Sequence, residues 1–500
     1  MNRPIPRVRG PKPVAFRSRM LAAPASPSPK ARRRLVFAMP AGTPALLVGF
    51  LLNGATAFAF LLLPRLSHRL GGASLSSVQA LWFVVFLLTP GVFGPLEQAT
   101  NARISACRAR GQSDAGVIRA ARRTTALLCG AITIVVLALS PLLVRRAFEN
   151  DRALVVWLAL AVVGNGLLFW MEGVVSGRRQ FGAYAAMITF EGAVRVAACA
   201  VLVMANVRSP SAYGLLIALT PWVTLGFTFF REPALLTDAV ARLPHTPEPA
   251  SASAASWGGP PGRSRSGPTG RSRLMRRDDR DSTSAPEPGF GRAVIHLLGG
   301  QLALQVMLNV APIAATLLAT ASDKGRLADF GTLFIVSRVP LFLYQGMAIA
   351  LLAELSALAA TGRIAQLRAL VGRVCAGLGA IGLVGVGFVA ALAGPLSRQV
   401  LGSTTRLGRS TWTEVAIANI VGLLALTLSV ALLAQGRLAR AGLGWAVGAI
   451  IAVFVIAATT GSNSLVDRVT FGYLVGMLAA AGALATFTLQ PAPPAATPRG

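Results

Sequence analysis

Two arginines lie in the middle of long apolar stretches of this sequence, where a charged side chain is unusual. Arg195 follows Glu191 by four residues, and Arg338 precedes Pro340 by two residues with no carboxylate within a helical turn. A charge at the centre of a bilayer costs roughly 2.5 to 3.5 kcal/mol on insertion scales. Guanidinium groups suit phosphate oxygens, so both arginines predict a cavity wall that holds an anionic group. The alternative is an ion pair or hydrogen bond that only stabilises helix packing.

Amide and carboxylate side chains also lie in apolar stretches. Gln301, Gln305 and Asn309 are four residues apart, so they fall near one helix face and project toward a cavity or one neighbouring helix. Hydrogen bonding between helices is the alternative explanation for them. Glu97 and Glu172 each close an apolar stretch. We predict for these two either a coupling or gating role through proton exchange, or a resting place at the membrane interface.

The composition places these residues in a membrane protein. Hydrophobic residues make up 54% of the 500-residue chain and charged residues 13%, against about 25% charged in soluble proteins. The mean hydropathy is +0.62. So few charges cannot cover soluble domains, and most of the surface must face lipid. Because backbone amides in lipid must be paired within the chain, the apolar runs predict helices.

Twelve apolar runs are each about 20 residues long, the length of helix that crosses a bilayer. The predicted fold is therefore an all-α polytopic membrane protein, with about 12 transmembrane helices in two six-helix lobes around a central cavity. The runs lie near residues 41–64, 78–97, 125–144, 153–172, 181–206, 211–230, 293–320, 328–353, 373–396, 412–434, 440–459 and 468–489.

The segment between the sixth and seventh runs divides the chain into two halves. Residues 232–291 are rich in Pro, Ser and Arg and cannot build a core, so they predict a disordered cytoplasmic linker. The N-terminal lobe is then residues 41–231 and the C-terminal lobe residues 292–490. The basic tail 1–40 and the tail 491–500 are also predicted to be disordered.

The positive charge of the chain indicates its orientation in the membrane. The sequence has 48 Lys and Arg against 18 Asp and Glu, a net charge of +30 that would suggest nucleic acid in a soluble protein. With the N-terminus inside, the inner loops carry 23 Lys and Arg and the outer loops 12. This bias predicts a plasma-membrane protein with both termini in the cytoplasm and no nucleic-acid partner.

The two halves show weak similarity to each other. Asn53 and Asn309 align in the middle of the first and seventh runs, and Pro90 and Pro340 align in the second and eighth. Two such repeats would be related by a pseudo-twofold axis along the membrane normal. Lobes that face each other in this way form a central cleft that can open to either side, which is typical of transporters.

Nothing in the sequence indicates catalysis or a cofactor. There is no GxxxxGK[ST] phosphate loop, no HExxH motif, and no soluble stretch long enough for an ATPase domain. The cysteines are scattered without a CxxC pair, so neither a metal site nor a disulfide framework is predicted. They are Cys107, Cys129, Cys199 and Cys375. We expect no enzyme activity, no cofactor and no metal, with an ion or substrate gradient as the energy source.

Two segments carry a family resemblance. Residues 91–123 (GVFGPLEQATNARISACRARGQSDAGVIRAARR) form the exit of the second predicted helix. They contain Pro-Leu-Glu-Gln followed by a basic amphipathic loop. Residues 171–195 (MEGVVSGRRQFGAYAAMITFEGAVR) contain a short basic loop and a Glu-Gly-x-x-Arg helix. With the six-plus-six layout, they resemble the oligosaccharide flippases of the multidrug/oligosaccharidyl-lipid/polysaccharide exporter superfamily, especially the polysaccharide biosynthesis proteins of high-GC actinobacteria.

The resemblance implies a function. It implies a flippase that moves undecaprenyl-linked sugars across the plasma membrane through a cationic central cavity. Its implied partners are the lipid-linked sugar substrate, membrane lipids, and glycosyltransferases or a polymerase of the same pathway. The matching motif positions are Glu97, Arg178, Arg179, Glu191 and Arg195. The alternatives are a multidrug exporter of the same superfamily, a major-facilitator transporter, or a non-transporting membrane scaffold for polysaccharide assembly.

Overall fold

Helices account for nearly all of the chain that the structure, a computed structural model, describes, and no strand occurs in that part. The predicted tails and most of the predicted linker 232–291 lie outside the described residues. The described residues are 43–109, 111–231, 290–320, 323–396, 407–459 and 464–490.

Within its described residues, the N-terminal half contains eight helices and one π-helical turn. The π turn, Thr89–Phe93, joins the second and third helices and contains Pro90. Proline has no amide hydrogen for the α-helical ladder, and a π bulge accommodates the missing bond. The helices are α1 (Thr43–Leu66), α2 (Gly72–Leu88), α3 (Gly94–Ala109), α4 (Ala115–Ala138), α5 (Ser140–Arg146), α6 (Ala153–Gly177), α7 (Phe181–Met204) and α8 (Pro210–Arg231).

The C-terminal half contains seven helices in the described residues. The eighth predicted run is not one helix, because Ser337 and Arg338 form a turn and Pro340 lies in the first turn of the helix that follows. The helices are α9 (Phe290–Leu318), α10 (Lys324–Val336), α11 (Val339–Ala360), α12 (Ile364–Leu396), α13 (Arg409–Ala434), α14 (Leu438–Ala458) and α15 (Leu465–Leu489). The aligned prolines of the two halves therefore both mark a break in regular α-helix.

Eleven helices in the described ranges are long and apolar enough to cross a membrane, and they coincide with eleven of the twelve predicted runs. The broken pair α10 and α11 occupies the remaining run. Several run ends differ from the helix ends, and two of these differences concern the carboxylates: the α2–α3 segment continues past 97 to Ala109, and α6 continues past 172 to Gly177. Glu97 and Glu172 therefore lie inside helices. A helix can extend past its first charged residues when other side chains cover them or when they reach the lipid headgroups.

The same helices pack together in both halves. In the N-terminal half the close pairs are α1 with α7, α3 with α6, α4 with α6, α6 with α8, and α7 with α8. In the C-terminal half the corresponding pairs are α9 with α14, α11 with α13, α12 with α13, α13 with α15, and α14 with α15. Each half is thus a lobe with one common arrangement, which agrees with the weak internal similarity of the sequence.

The two lobes meet through few helices. Helix α9 packs against α2, the π turn and α3, while α10 packs against α2 and α11 against α1. A small cavity lies between α2, α9 and α10, lined in part by Ser76, Gln79 and Thr316. The predicted site residues are not among those that line this cavity.

Candidate functional site

Arg338 occupies the break between α10 and α11 and is only 7% exposed. Its Nη1 donates to Asn309 Oδ1 at 3.2 Å, and its Nη2 donates to the carbonyl of Leu308. The guanidinium carbon lies 4.7 Å from the ring centre of Phe334 and 5.7 Å from that of Phe83. No carboxylate pairs with Arg338 in the part of the chain that the structure describes. Only neutral groups therefore surround this buried positive charge.

The contacts of Arg338 are held in place by α9. Asn309 Nδ2 donates to the carbonyl of Gln305 at 2.8 Å, so the amide oxygen of Asn309 is turned toward the guanidinium. Arg338 Nε is buried and has no hydrogen-bond partner in the described residues. Phe83 belongs to the N-terminal lobe, which places Arg338 at the interface between the lobes. The Nε of Arg338 is therefore an unused donor at this interface.

Arg195 has a different environment. It forms an ion pair with Glu191 across one turn of α7, and both side chains are largely buried. Its guanidinium carbon lies 5.2 Å from the ring centre of Trp82. Trp82 and Phe83 are adjacent in α2, so the two arginines lie against neighbouring aromatic residues of one helix. The charge of Arg195 is balanced within α7 by Glu191.

The polar face of α9 lies against the other lobe. A Cβ atom added to Gly91 would lie 3.4 Å from Gln305 Cβ, and one added to Gly94 would lie 3.6 Å from Gln301 Nε2. These two glycines mark where α9 runs beside the π turn and α3. Gln301, Gln305 and Asn309 therefore lie along one stretch of the lobe interface, and Asn309 continues this stretch to Arg338.

The acidic residues form a separate cluster inside the N-terminal lobe. Glu97 Oε1 accepts a hydrogen bond from the Tyr184 hydroxyl at 2.9 Å. Glu172 is buried in α6, and the carboxylates of Glu97 and Glu191 both act on it electrostatically. Neighbouring carboxylates repel one another when ionised. Within the described ranges, no three His, Cys, Asp or Glu side chains are placed to hold a metal ion.

The two arginines of the short basic loop lie away from these groups. Arg178 Nε donates to Asp114 Oδ2 at 3.0 Å, which ties the turn after α6 to the start of α4. Arg179 is exposed and has a positive φ of 60°. These two motif positions of the family resemblance therefore lie at the end of the N-terminal lobe, and Arg178 stabilises a turn there.

One contact between the lobes was not predicted from the sequence. Arg65 at the end of α1 forms an ion pair with Asp329 of α10. Arg65 Nη1 also donates to Thr332 Oγ1 at 2.9 Å, and Gln79 Nε2 donates to the same oxygen at 2.9 Å. The sequence did contain a signal for this contact. Opposite charges lie at the end of the first run and the start of the eighth, and the predicted topology places both on the same side of the membrane. Polar contacts of this kind can break and reform when lobes separate.

The overall fold is that of known transporters. No protein-family model and no curated protein sequence matches the chain. Among solved structures, it is similar to a multidrug resistance MATE family transporter of the MOP superfamily in its outward-facing conformation, with a TM-score of 0.61 and 14% identity over 89% of this chain and 94% of that one. The inward-facing conformation gives a TM-score of 0.59 and 14% identity over 88% and 93%.

A third similar structure extends the range of functions seen with this fold. It is a MOP superfamily transporter from Pyrococcus furiosus Vc1, in which the reverse polarity of the binding pocket suggests a different function. The TM-score is 0.60 and the identity 13%, covering 89% of this chain and 94% of that one. At these identities the similarities show the two-lobed fold.

Proposed function

We propose that the chain is a membrane transporter that works by alternating access and flips a lipid-linked oligosaccharide or polysaccharide precursor across the plasma membrane. The observation that carries this proposal is Arg338, a buried and unpaired cation at the interface of two lobes. The fold supports it, since transporters with this fold adopt outward-facing and inward-facing conformations.

The chemistry of the lobe interface supports an anionic, sugar-bearing substrate. A lipid-linked sugar carries phosphate oxygens, and Arg338 keeps its charge and its Nε donor for them. Gln301 and Gln305 of α9 add amide groups that can bond sugar hydroxyls once the lobes part. Arg195 contributes less, because Glu191 already balances its charge.

The acidic cluster supplies a means of coupling. Glu97 and Glu172 come from α3 and α6, and Tyr184 connects Glu97 to α7. Uptake or release of a proton changes the repulsion among these carboxylates and therefore the packing of three helices of one lobe. We propose that Glu97 and Glu172 exchange the coupling protons.

Substitution of Arg338 tests the proposal. Arg338→Gln should lower flipping of an undecaprenyl-diphosphate-linked sugar in proteoliposomes about 10- to 100-fold, because one charge-assisted contact is lost. Arg338→Lys should retain part of the activity, since it keeps the charge without the planar guanidinium. Arg409→Gln, an exposed arginine of the same lobe, is the matched control. Normal flipping by a well-folded Arg338→Gln protein would refute the role of Arg338.

The acidic cluster also favours a second candidate function, the export of organic cations. Carboxylates inside the N-terminal lobe attract positive charge, and one similar structure is a multidrug resistance transporter. Transport of a cationic dye that is lost in Glu97→Gln with Glu172→Gln but unchanged in Arg338→Gln would favour this function over the flippase.

A further inference from the structure

Three arginines converge near the end of α15, on the side that the sequence assigns to the cytoplasm. The turn between α13 and α14 contains Gly436 with a φ of +72°, and the amide of Arg437 donates to the carbonyl of Leu432 at 2.9 Å. This turn brings Arg437 to the end of α15. Its Nη1 donates to the carbonyls of Phe487 at 2.9 Å and Gln490 at 3.0 Å. Arg437 thus binds carbonyls at a helix end that lacks partners within the helix.

Two more arginines bring their charges to the same place. Arg368 of α12 donates through Nη2 to the carbonyl of Leu489 at 3.1 Å. Burial, and then the positive charges of Arg440 and Arg368, lower the pKa of Arg437 from its ordinary value. Among the described residues, no carboxylate offsets the effect of Arg440 and Arg368 on Arg437. Three positive charges therefore gather without a counter-charge.

Several donors of this cluster are unused. Arg437 Nη2 and Arg440 Nη1 are buried and have no hydrogen-bond partner in the described residues. Both residues lie at the N-terminal end of α14, where Arg437 is the N-cap and makes no side-chain cap bond. The first amides of a helix attract anions, and the helix dipole adds positive potential there. Buried donors without an acceptor are costly, and an anion that accepts several hydrogen bonds would complete the cluster.

The surroundings of the cluster are apolar and exposed. Leu438 and Leu443 of α14 are exposed, and Leu489 at the end of α15 is 67% exposed. In a membrane protein such side chains face lipid acyl chains, while arginines at helix ends reach the headgroups. An anion that occupies the cluster can therefore carry an apolar tail along α14.

We propose that Arg368, Arg437 and Arg440 form a binding site for the phosphate of an anionic lipid headgroup. The guanidinium groups supply the charge and the donors, and the exposed leucines contact the acyl chains. The site lies at one end of the C-terminal lobe, and it does not depend on the nature of the transported substrate.

Binding of defined lipids to the purified full chain tests the site. The chain in micelles is titrated with phosphatidylglycerol, and bound lipid is counted by native mass spectrometry, with the melting temperature as a second readout. Arg440→Gln should weaken binding about tenfold, the effect of one charge-assisted hydrogen bond. Arg440→Lys should restore part of it. Because Arg440 Nη1 has no hydrogen-bond partner in the described residues, loss of the guanidinium without lipid should leave the melting temperature unchanged.

Controls separate the site from general attraction to a basic protein. Arg123→Gln removes an exposed arginine from the same predicted side of the other lobe and should bind lipid like the wild type. Arg368→Gln gives a second measurement within the cluster and should also weaken binding. Equal binding by wild type and Arg440→Gln, or equal affinity for phosphatidylcholine, would overturn the proposal. If 10 mM inorganic phosphate alone raised the melting temperature as the lipid does, the ligand would be a soluble phosphate and not a lipid headgroup.

Discussion

At the scale of single residues, two arginines that look alike in the sequence have opposite environments. Arg195 lies one helical turn from Glu191 and is paired with it, whereas Arg338 contacts only an amide, a carbonyl and two aromatic rings. A paired arginine contributes little net charge to its surroundings. The unpaired one leaves a buried positive charge at the lobe interface without a carboxylate partner in the described residues.

The pairing of Arg195 predicts a pattern of stability. Arg195→Gln leaves the Glu191 carboxylate buried without its partner and should lower the free energy of unfolding by about 3 kcal/mol. The double change with Glu191→Gln should recover most of this loss, since no uncompensated charge remains. Denaturation in micelles, followed by tryptophan fluorescence, measures both effects. A double variant less stable than Arg195→Gln alone would show that each side chain has its own essential contacts.

At the scale of helices, close packing relies on glycine. A Cβ atom added to Gly192 of α7 would lie 2.2 Å from Thr56 Oγ1 and 3.2 Å from Asn53 Cα, both in α1. A Cβ atom added to Gly49 of α1 would lie 3.3 Å from the carbonyl oxygen of Ala185 in α7. Without a hydrophobic driving force between helices in lipid, such van der Waals contact stabilises the lobe.

Gly192 is therefore a sensitive position. Gly192→Ala should push α1 away from α7 and lower stability by about 1 to 3 kcal/mol. The matched control is Gly226→Ala in α8, where an added Cβ meets nothing within 4 Å. That change should be neutral or stabilise by up to about 1 kcal/mol, because alanine favours helix. Melting temperatures of the two variants give the comparison, and equal values would mean that α1 and α7 can separate freely.

At the scale of the whole molecule, the lobes are closed on the predicted outer side. The ion pair of Arg65 with Asp329 joins α1 to α10, and Thr332 also accepts from Gln79 of α2. Ser76 is buried near the start of α2 and lines the cavity between α2, α9 and α10. Opening to the outside requires this contact to break, so we expect it to act as an outer gate.

Exchange of the two charges tests this gate. Asp329→Arg places like charges together and should raise the labelling rate of Ser76→Cys by an impermeant maleimide about fivefold, the ratio for about 1 kcal/mol. The swapped pair, Arg65→Asp with Asp329→Arg, should return the rate to its starting value. The background lacks Cys107, Cys129, Cys199 and Cys375, the free cysteines of the described residues. Equal rates in the single and swapped variants would rule out the gate.

The sequence by itself determined where most of the membrane-spanning helices lie. A run of about 20 apolar residues is a local property, and eleven of the twelve predicted runs coincide with helices that can cross a membrane. Local spacing also foretold the pairing of Glu191 with Arg195, because residues four apart share a helix face. The aligned prolines likewise marked the breaks in both halves.

Only the tertiary structure decided which polar groups meet. Arg65 and Asp329 are 264 residues apart and Arg437 and Phe487 are 50 apart, so no local pattern relates them. Apolar side chains all round a helix leave its rotation and its crossing partner undetermined in the sequence. The extension of α3 past Glu97 and the closed lobe interface depend on those choices. The rotation and the packing partners of the helices also decide that Arg338 lies beside an amide and aromatic rings, with its charge unpaired.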